Sequence, residues 1–155
     1  MRATGTNISA QERRSTSVEE TEAIAAEIAR ALPPGAVIAL TGDLGAGKTV
    51  FARGVARAFR VREPAHSPTF TLINEYHGER TVFHADLYRV ADEREAETIG
   101  LAECFDAGGI TLIEWPERAV GLLPARTVRV EIIHGASANE RIVRVRAPAA
   151  AGDAP

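Results

Sequence analysis

The sequence predicts an α/β fold, in which helices cover both faces of a mixed, partly antiparallel sheet to give a three-layer sandwich. Two apolar runs of strand length, residues 36–41 and 110–114, have the composition of strands that are buried on both faces. Helical patterns flank the first run, and two pairs of strand-like segments are joined by short polar turns, which is typical of hairpins. Buried strands together with hairpins indicate strands of both directions in one sheet.

The composition is that of one globular domain. The chain has 155 residues, of which 45% are hydrophobic and 25% charged, which excludes collagen-like, coiled-coil and largely disordered chains. No apolar run is long enough to cross a bilayer and no secretory signal is visible, so we expect no membrane partner. The single cysteine, Cys104, excludes an intramolecular disulfide and fits a cytoplasmic protein. The net charge of −3 gives no overall attraction to nucleic acid.

The first half of the chain predicts a helix, a strand and a second helix. Residues 1–16 are polar and aperiodic, so we expect a disordered tail there. Ser17 and Glu20 form a capping-box pattern before apolar residues at helical spacing, and Pro33 ends this helix. The predicted helix, strand, glycine-rich turn and second helix cover residues 18–31, 36–41, 42–47 and 48–59.

The second half predicts five strands and one short acidic helix. The strands cover residues 69–76, 81–86, 110–114, 127–134 and 141–146, and the helix covers residues 92–99. The first two strands form one hairpin and the last two form another. Residues 147–155 are small and proline-punctuated, so we expect a second disordered tail and a single domain over residues 17–146.

The glycine-rich turn carries a phosphate-binding motif. Residues 42–49 read Gly-Asp-Leu-Gly-Ala-Gly-Lys-Thr and fit G-x-x-x-x-G-K-[ST] in full. The glycines let backbone N–H groups approach phosphate oxygens, and the helix that follows presents its positive end there. Lys48, the only lysine among 18 basic residues, would reach the β- and γ-phosphates, and Thr49 would bind Mg²⁺. Asp43 would face phosphate or hold the loop's shape. The sequence therefore predicts a P-loop NTPase-like fold with a nucleotide-phosphate site.

Two carboxylates at strand ends are candidates to complete this site. Asp86 ends the predicted strand 81–86, and Glu114 ends the more apolar strand 110–114. Phosphoryl chemistry needs an acidic residue near the metal, commonly at the carboxyl end of a buried strand. Glu114 is the better metal candidate, together with Thr49, while either carboxylate could orient the attacking water. Lys48, Asp86 and Glu114 are therefore the candidate catalytic residues.

Several other kinds of site are excluded or not expected. A guanine-specific GTPase needs an N-K-x-D motif, which cannot occur because Lys48 is the only lysine. The loop does not follow the G-x-G-x-x-G pattern of dinucleotide sites. The histidines have no metal-ligand spacing with Cys104, so no zinc site is expected. No basic stripe interleaved with aromatic residues is present, so we expect any effect on RNA to be indirect.

Four blocks of sequence resemble the TsaE (YjeE) family. They are the loop at 42–49, Ser-Pro-Thr-Phe-Thr-Leu at 67–72, His-Ala-Asp-Leu-Tyr-Arg at 84–89 and Glu-Trp-Pro-Glu at 114–117. The resemblance runs from residue 18 to residue 146. The loop alone is shared by many ATPases, whereas the four blocks in this order are much more specific.

The resemblance implies a bacterial ATPase required for threonylcarbamoylation of the adenosine next to the anticodon in tRNAs that read codons beginning with A. In that family the transfer chemistry belongs to TsaD, paired with TsaB, and ATP with Mg²⁺ sustains turnover, so we expect weak activity without these partners and only indirect contact with tRNA.

The matching positions also imply roles for single residues. The implied ATP-binding residues are Asp43, Leu44, Gly45, Ala46, Gly47, Lys48, Thr49 and Arg141. Thr49 and Glu114 are implied Mg²⁺ ligands, and Asp86 is implied in hydrolysis or in coupling to partners. Residues 67–69 are implied to form a switch-like segment near the γ-phosphate.

Two other functions stay open on the sequence. A P-loop small-molecule or nucleoside kinase needs an arginine-bearing lid, and the only candidate, residues 89–94, is short and acidic. A nucleotide-gated binding module would change conformation with ATP and hydrolyse it negligibly. Trp115 and Tyr88 could line the nucleotide cleft or contact a partner.

Overall fold

The computed structural model describes residues 8–43, 45–63 and 72–148, and within them seven strands form a single sheet. The strands are β1 (Gln11–Ser15), β2 (Ala36–Gly42), β3 (Ile73–Tyr76), β4 (Val82–Asp86), β5 (Ile110–Glu114), β6 (Val128–His134) and β7 (Arg141–Arg146). The helices are α1 (Val18–Arg30), α2 (Lys48–Ala58), α3 (Glu93–Thr98) and α4 (Leu101–Phe105), with a 3-10 helix at Pro116–Leu122. The predicted α/β class is confirmed.

The sheet is mixed, with the strand order β1-β7-β6-β2-β5-β4-β3. The four central strands β6, β2, β5 and β4 run parallel to one another. At the edges, β3 pairs antiparallel with β4, β7 with β6, and β1 with β7. The two predicted hairpins are therefore present, and the parallel strands end together at one edge of the sheet.

Helices cover the two faces of the sheet through two separate apolar clusters. On one face, α1 and α2 pack on alternate residues of the central strands, such as Ile38 and Leu40. On the other face, α3, α4 and the 3-10 helix pack on Val37, Ala85 and Ile113. The alternation of Val37 and Ile38 between the clusters follows from the two-residue period of a strand. No helix of the described residues is both long and apolar enough to cross a membrane.

Helix α1 begins at the predicted cap and lies directly against α2. The Ser17 side chain accepts a hydrogen bond from the backbone N–H of Glu20 at 3.0 Å. Where the helices meet, α2 carries Gly54, and a Cβ atom built there would lie 2.7 Å from the Cβ of Ala25. Glu22 of α1 also forms ion pairs with two arginines of α2. Glycine at this position lets the backbones of the two helices approach closely.

The expected disordered tail over residues 1–16 is wrong for Gln11–Ser15, which form β1. This strand has no alternation of apolar residues because it lies at the sheet edge, and its ladder with β7 is made by the backbone. Its charged side chains form ion pairs instead: Glu12 with Arg144 at 2.9 Å and Arg13 with Glu27 at 3.0 Å. A ladder to a strand more than 120 residues away leaves no local signal.

The remaining differences from the predicted elements are small. Helix α4 and the 3-10 helix were not predicted, and the predicted acidic helix is shorter, at Glu93–Thr98. The predicted strand over residues 69–76 is seen as β3, and its first residues, 69–71, lie outside the described residues. The expected tails also lie outside them over residues 1–7 and 149–155.

Candidate functional site

A cleft of about 860 Å³ opens where the parallel strands end. The ends of β2, β4, β5 and β6 and the start of α2 form its walls, as expected for a sheet of this type. Seven of the predicted site residues line this cleft: Asp43, Gly45, Gly47, Lys48, Thr49, Asp86 and Glu114. Residues that the sequence analysis selected from three separate segments therefore lie in one cavity of the fold.

The described residues of the loop between β2 and α2 include two glycines with a left-handed backbone. Gly45 and Gly47 have φ values of +81° and +112°, a region that side chains with a Cβ rarely adopt. Among the described residues nothing lies within 4 Å of a Cβ built on either glycine, so the backbone conformation and not crowding by these residues favours glycine there. Gly47 caps α2 without a side-chain hydrogen bond, and the first turn has no acidic residue. The positive end of α2 thus faces the cleft without an acidic residue in its own first turn.

Arg141 and Ala46 support this loop from behind. The Arg141 Nε donates to the carbonyl oxygen of Ala46 at 2.9 Å, and its Nη2 is 3.4 Å from that of Gly45. The Ala46 side chain is fully buried, and its N–H donates to the carbonyl of Asp43 at 2.9 Å. Arg141 does not line the cleft, so direct contact between this guanidinium and a nucleotide stays a prediction.

The two predicted carboxylates are neighbours across β4 and β5. Asp86 and Glu114 are partners in the parallel ladder, so their side chains emerge side by side at the cleft. Burial raises the pKa of the Asp86 carboxyl, the hydrogen bond from the N–H of Tyr88 at 3.0 Å opposes this, and the charge of Glu114 adds to the rise. Lys48 lowers the pKa of Asp86 through its positive charge.

A histidine that the sequence analysis did not assign to this site lies behind Glu114. The Nε2 of His84 is 2.6 Å from Oε2 of Glu114, and the side chains are 1% and 5% exposed. His84 precedes Asp86 by two residues on the same strand and therefore points to the same face of the sheet. The sequence does show a histidine two residues before the strand-end carboxylate Asp86, which could have suggested a role in the site. Its contact with Glu114 depends on the register between β4 and β5, which the sequence does not show.

Aromatic side chains form the wall next to the carboxylates. Trp115 has a left-handed backbone with φ +59°, which costs of order 1 kcal/mol for a residue with a Cβ. The Nζ of Lys48 lies 4.8 Å from the centroid of the Trp115 ring, within the range of a cation–π interaction. The Tyr88 ring lies 4.9 Å from that of Trp115, tilted by 54°, and Tyr88 is 56% exposed. This wall holds the loop lysine and presents an aromatic surface to solvent.

Some predicted residues lie outside the described part, and some lining residues were not predicted. Leu44 and residues 67–69 lie outside the described residues. On the wall opposite the aromatic residues, β6 contributes Glu131, Ile132 and Ile133. They were not identified because the sequence does not show that β6 lies next to β2 in the sheet.

The donor set of the cleft suits a magnesium ion bound together with phosphates. Thr49, Asp86 and Glu114 offer oxygen ligands, which Mg²⁺ prefers, and the open space at the two loop glycines leaves room for phosphate groups. Among the described residues, no three His, Cys, Asp or Glu side chains cluster as a metal site. An ion here would therefore take part of its shell from a nucleotide and from water, as Mg²⁺ commonly does.

Fold and site together define an α/β protein whose cleft, at the carboxyl edge of a mixed sheet, is built around a glycine-rich loop and a helix N-terminus. A family model described as "Threonylcarbamoyl adenosine biosynthesis protein TsaE" matches residues 15–143. The chain belongs to this TsaE family, as its four sequence blocks predicted.

Relatives and a solved structure agree with this assignment. A "tRNA threonylcarbamoyladenosine biosynthesis protein TsaE" of Treponema pallidum is 39% identical over 128 residues, 83% of this chain and 95% of the relative. The protein of the same description from Bacillus subtilis is 41% identical over 129 residues, 83% of this chain and 80% of the relative. A crystal structure of YdiB from Bacillus subtilis matches with a TM-score of 0.74 and 33% identity, covering 90% of this chain and 86% of that chain.

Proposed function

We propose that the chain is a P-loop ATPase that binds ATP with Mg²⁺ in this cleft and hydrolyses it. The observation that carries the proposal is that Lys48 and Thr49, at the N-terminus of α2, share one cleft with the strand-end carboxylates Asp86 and Glu114. A phosphate-binding loop, a lysine and acidic residues at the ends of neighbouring parallel strands are the parts that phosphoryl transfer from ATP requires.

Each part of the cleft has a role in this proposal. The loop N–H groups and the positive end of α2 bind the phosphates, and Lys48 moves from the Trp115 ring to neutralise the β- and γ-phosphates. Thr49 and Glu114 would hold Mg²⁺, which would supply charge to offset the charge that develops on the phosphate oxygens. Asp86, half-buried beside Glu114, orients the water that attacks the γ-phosphate.

We further propose that this hydrolysis serves tRNA threonylcarbamoyladenosine biosynthesis in the cytoplasm, with the chain coupled to TsaD and TsaB. The family and the descriptions of its relatives support the pathway. The exposed Tyr88, whose ring lies tilted against that of Trp115 at the rim of the cleft, supports a partner surface that senses the nucleotide. In this proposal the partner proteins bind the tRNA, and the chain itself has no direct contact with it.

The test measures ATP binding and Mg²⁺-dependent phosphate release, first with the chain alone and then with the TsaB–TsaD pair. Lys48→Ala is expected to weaken ATP binding about 10- to 100-fold, the size of a lost charge-assisted hydrogen bond, and to abolish phosphate release. Arg57→Ala is the matched control, because it removes a positive charge from an exposed position of the same helix, away from the cleft.

Four outcomes separate the parts of the proposal. Slow release that rises with the TsaB–TsaD pair and is lost in Lys48→Ala supports a coupled ATPase. Phosphate release that does not change with the TsaB–TsaD pair supports the ATPase activity and contradicts the coupling to these partners. Equal ATP affinity in Lys48→Ala and the wild type contradicts the site itself, and a phosphorylated acceptor in a screen of hydroxyl compounds would favour a kinase.

A further inference from the structure

The buried pair of His84 and Glu114 lies directly behind the candidate magnesium site. Nε2 of His84 and Oε2 of Glu114 are 2.6 Å apart, and both side chains are more than nine-tenths buried. Nδ1, the other ring nitrogen of His84, has no hydrogen-bond partner among the described residues and is fully enclosed. Within the described part of the chain, the two side chains therefore share one hydrogen bond in the core, and Nδ1 of the histidine has no partner.

Stability does not account for this arrangement. A buried polar atom without a partner costs free energy, and apolar side chains in place of both His84 and Glu114 would avoid that cost. Buried ion pairs are in general weak contributors to stability, because desolvation opposes their attraction. Val82, two residues before His84 on the same face of β4, illustrates the alternative, since it is buried without any polar side-chain atom. An unsatisfied group of this kind in a folded core calls for another explanation.

The hydrogen bond fixes the orientation of the Glu114 carboxylate. The terminal torsion of a glutamate is soft, so a carboxylate held only by its chain samples a broad range of orientations. An ionised carboxylate, as a metal ligand must be, only accepts hydrogen bonds, so the buried ring of His84 donates from Nε2–H to Oε2. Glu114 also lines the cleft, so its second oxygen, Oε1, remains for ligands there. One oxygen is thus held from behind, which leaves the other for a ligand in the cleft.

We infer that His84 is a positioning residue that orients Glu114 for Mg²⁺–ATP. The inference rests on the proposed function, and it assigns a role within that site that neither the family description nor the relatives' names mention. Partners that hydrogen-bond to metal ligands commonly contribute 10- to 100-fold to metal affinity or activity. His84 would act through Glu114 alone and would not touch the nucleotide.

The first test compares ATP binding with and without Mg²⁺ by isothermal titration calorimetry. Asparagine is too short to reach Glu114, so His84→Asn is expected to lose about tenfold or more of the affinity gain that Mg²⁺ gives, with Mg²⁺-free affinity unchanged. Glutamine places an N–H near the position of Nε2, so His84→Gln is expected to restore most of that gain. An equal loss of affinity with and without Mg²⁺, or a full gain in His84→Asn, would overturn the inference.

A double-mutant cycle tests whether His84 acts through Glu114. Glu114→Gln is expected to lose the Mg²⁺-dependent gain, and adding His84→Asn to it is expected to cause no further loss. Losses that multiply would mean that His84 acts independently, and would overturn the inference. ATP binding that is insensitive to Lys48→Ala would instead remove the proposed function, so the two failures are distinguishable.

A measurement on the wild type covers the case in which a His84 variant does not fold. With ¹⁵N-labelled histidine, the Nε2–H resonance of His84 is identified by its slow exchange with water, since the group is buried. Adding Mg²⁺ to the ATP complex is expected to shift this resonance, because Glu114 then shares its charge with the ion. A resonance that does not respond to Mg²⁺ would contradict the positioning role.

Discussion

Gly54 lies where α2 meets α1, and replacing it with alanine is expected to destabilise the protein even though alanine is the better helix former. A Cβ there would lie 2.7 Å from the Cβ of Ala25 and 2.9 Å from the Cα of Glu22. Carbon atoms in favourable contact stand about 3.5–4.0 Å apart, so the helices must separate by about 1 Å. Both neighbouring atoms are fixed to the main chain, so a change of rotamer cannot relieve the overlap.

Two opposing terms set the size of the effect. Overpacking a close interface costs about 1–3 kcal/mol, and replacing glycine within a helix gains about 0.5–1 kcal/mol. The expected net loss in the free energy of unfolding is about 1–2 kcal/mol. For a domain of this length that corresponds to a melting temperature lower by roughly 3–6 °C. Because α2 begins at Lys48, the displacement also reaches the loop, and ATP affinity should fall.

Urea unfolding followed by circular dichroism measures this loss. Ala25→Gly removes the nearer side-chain contact but leaves the backbone of Glu22, so the double variant Gly54→Ala/Ala25→Gly is expected to lose less stability than the sum of the two single variants. A Gly54→Ala protein as stable as the wild type, or more stable, would refute the reasoning, because helix propensity would then outweigh the contact between the helices.

Three further predictions concern single groups. Trp115 is the only tryptophan and contacts Lys48, so its fluorescence should change on titration with ATP; an unchanged signal would contradict the movement of the lysine. Burial raises the pKa of Asp86, so its ionisation opposes folding increasingly as the pH rises above the ordinary carboxyl pKa and fully above the raised one, and Asp86→Asn should raise the melting temperature at pH 7 but not at pH 3; equal shifts at both would exclude this origin. Burial, with the charges of two glutamates, raises the pKa of the Cys104 thiol to about 11 from 9.0, so iodoacetamide at pH 8 should react about 100-fold more slowly with the native than with the unfolded protein.

The central strands and the loop could be predicted because their signals are local. The run at 36–41 is apolar because β2 is covered on both faces, and the motif at 42–49 contains its own glycines and lysine. The carboxylates Asp86 and Glu114 were found for a related reason, since parallel strands end at the same edge of a sheet. In each case the prediction needs only the residues of one segment, or a rule that holds for all parallel strands, and not a knowledge of which strands are neighbours.

The features that were missed depend on which strands lie side by side. β1 has a polar sequence, and only its ladder with β7 makes it a strand. The contact between His84 and Glu114 requires β4 and β5 to pair in one particular register. The left-handed backbone of Trp115 occurs at the single residue between the end of β5 and the start of the 3-10 helix, and that helix was not predicted. Sequence periodicity carries no information on such pairings.

The place of β7 in the sheet links the completion of the fold to the completion of the site. β7 is the last strand, and it supplies both the partner of β1 and the arginine, Arg141, that holds the loop carbonyls. During synthesis from the N-terminus, the residues of β1 therefore cannot pair with β7 until almost the whole domain has been made. A chain truncated before residue 141 would lack both the partner strand of β1 and the arginine that binds the loop carbonyls. Such an incomplete chain would therefore not form a complete nucleotide site.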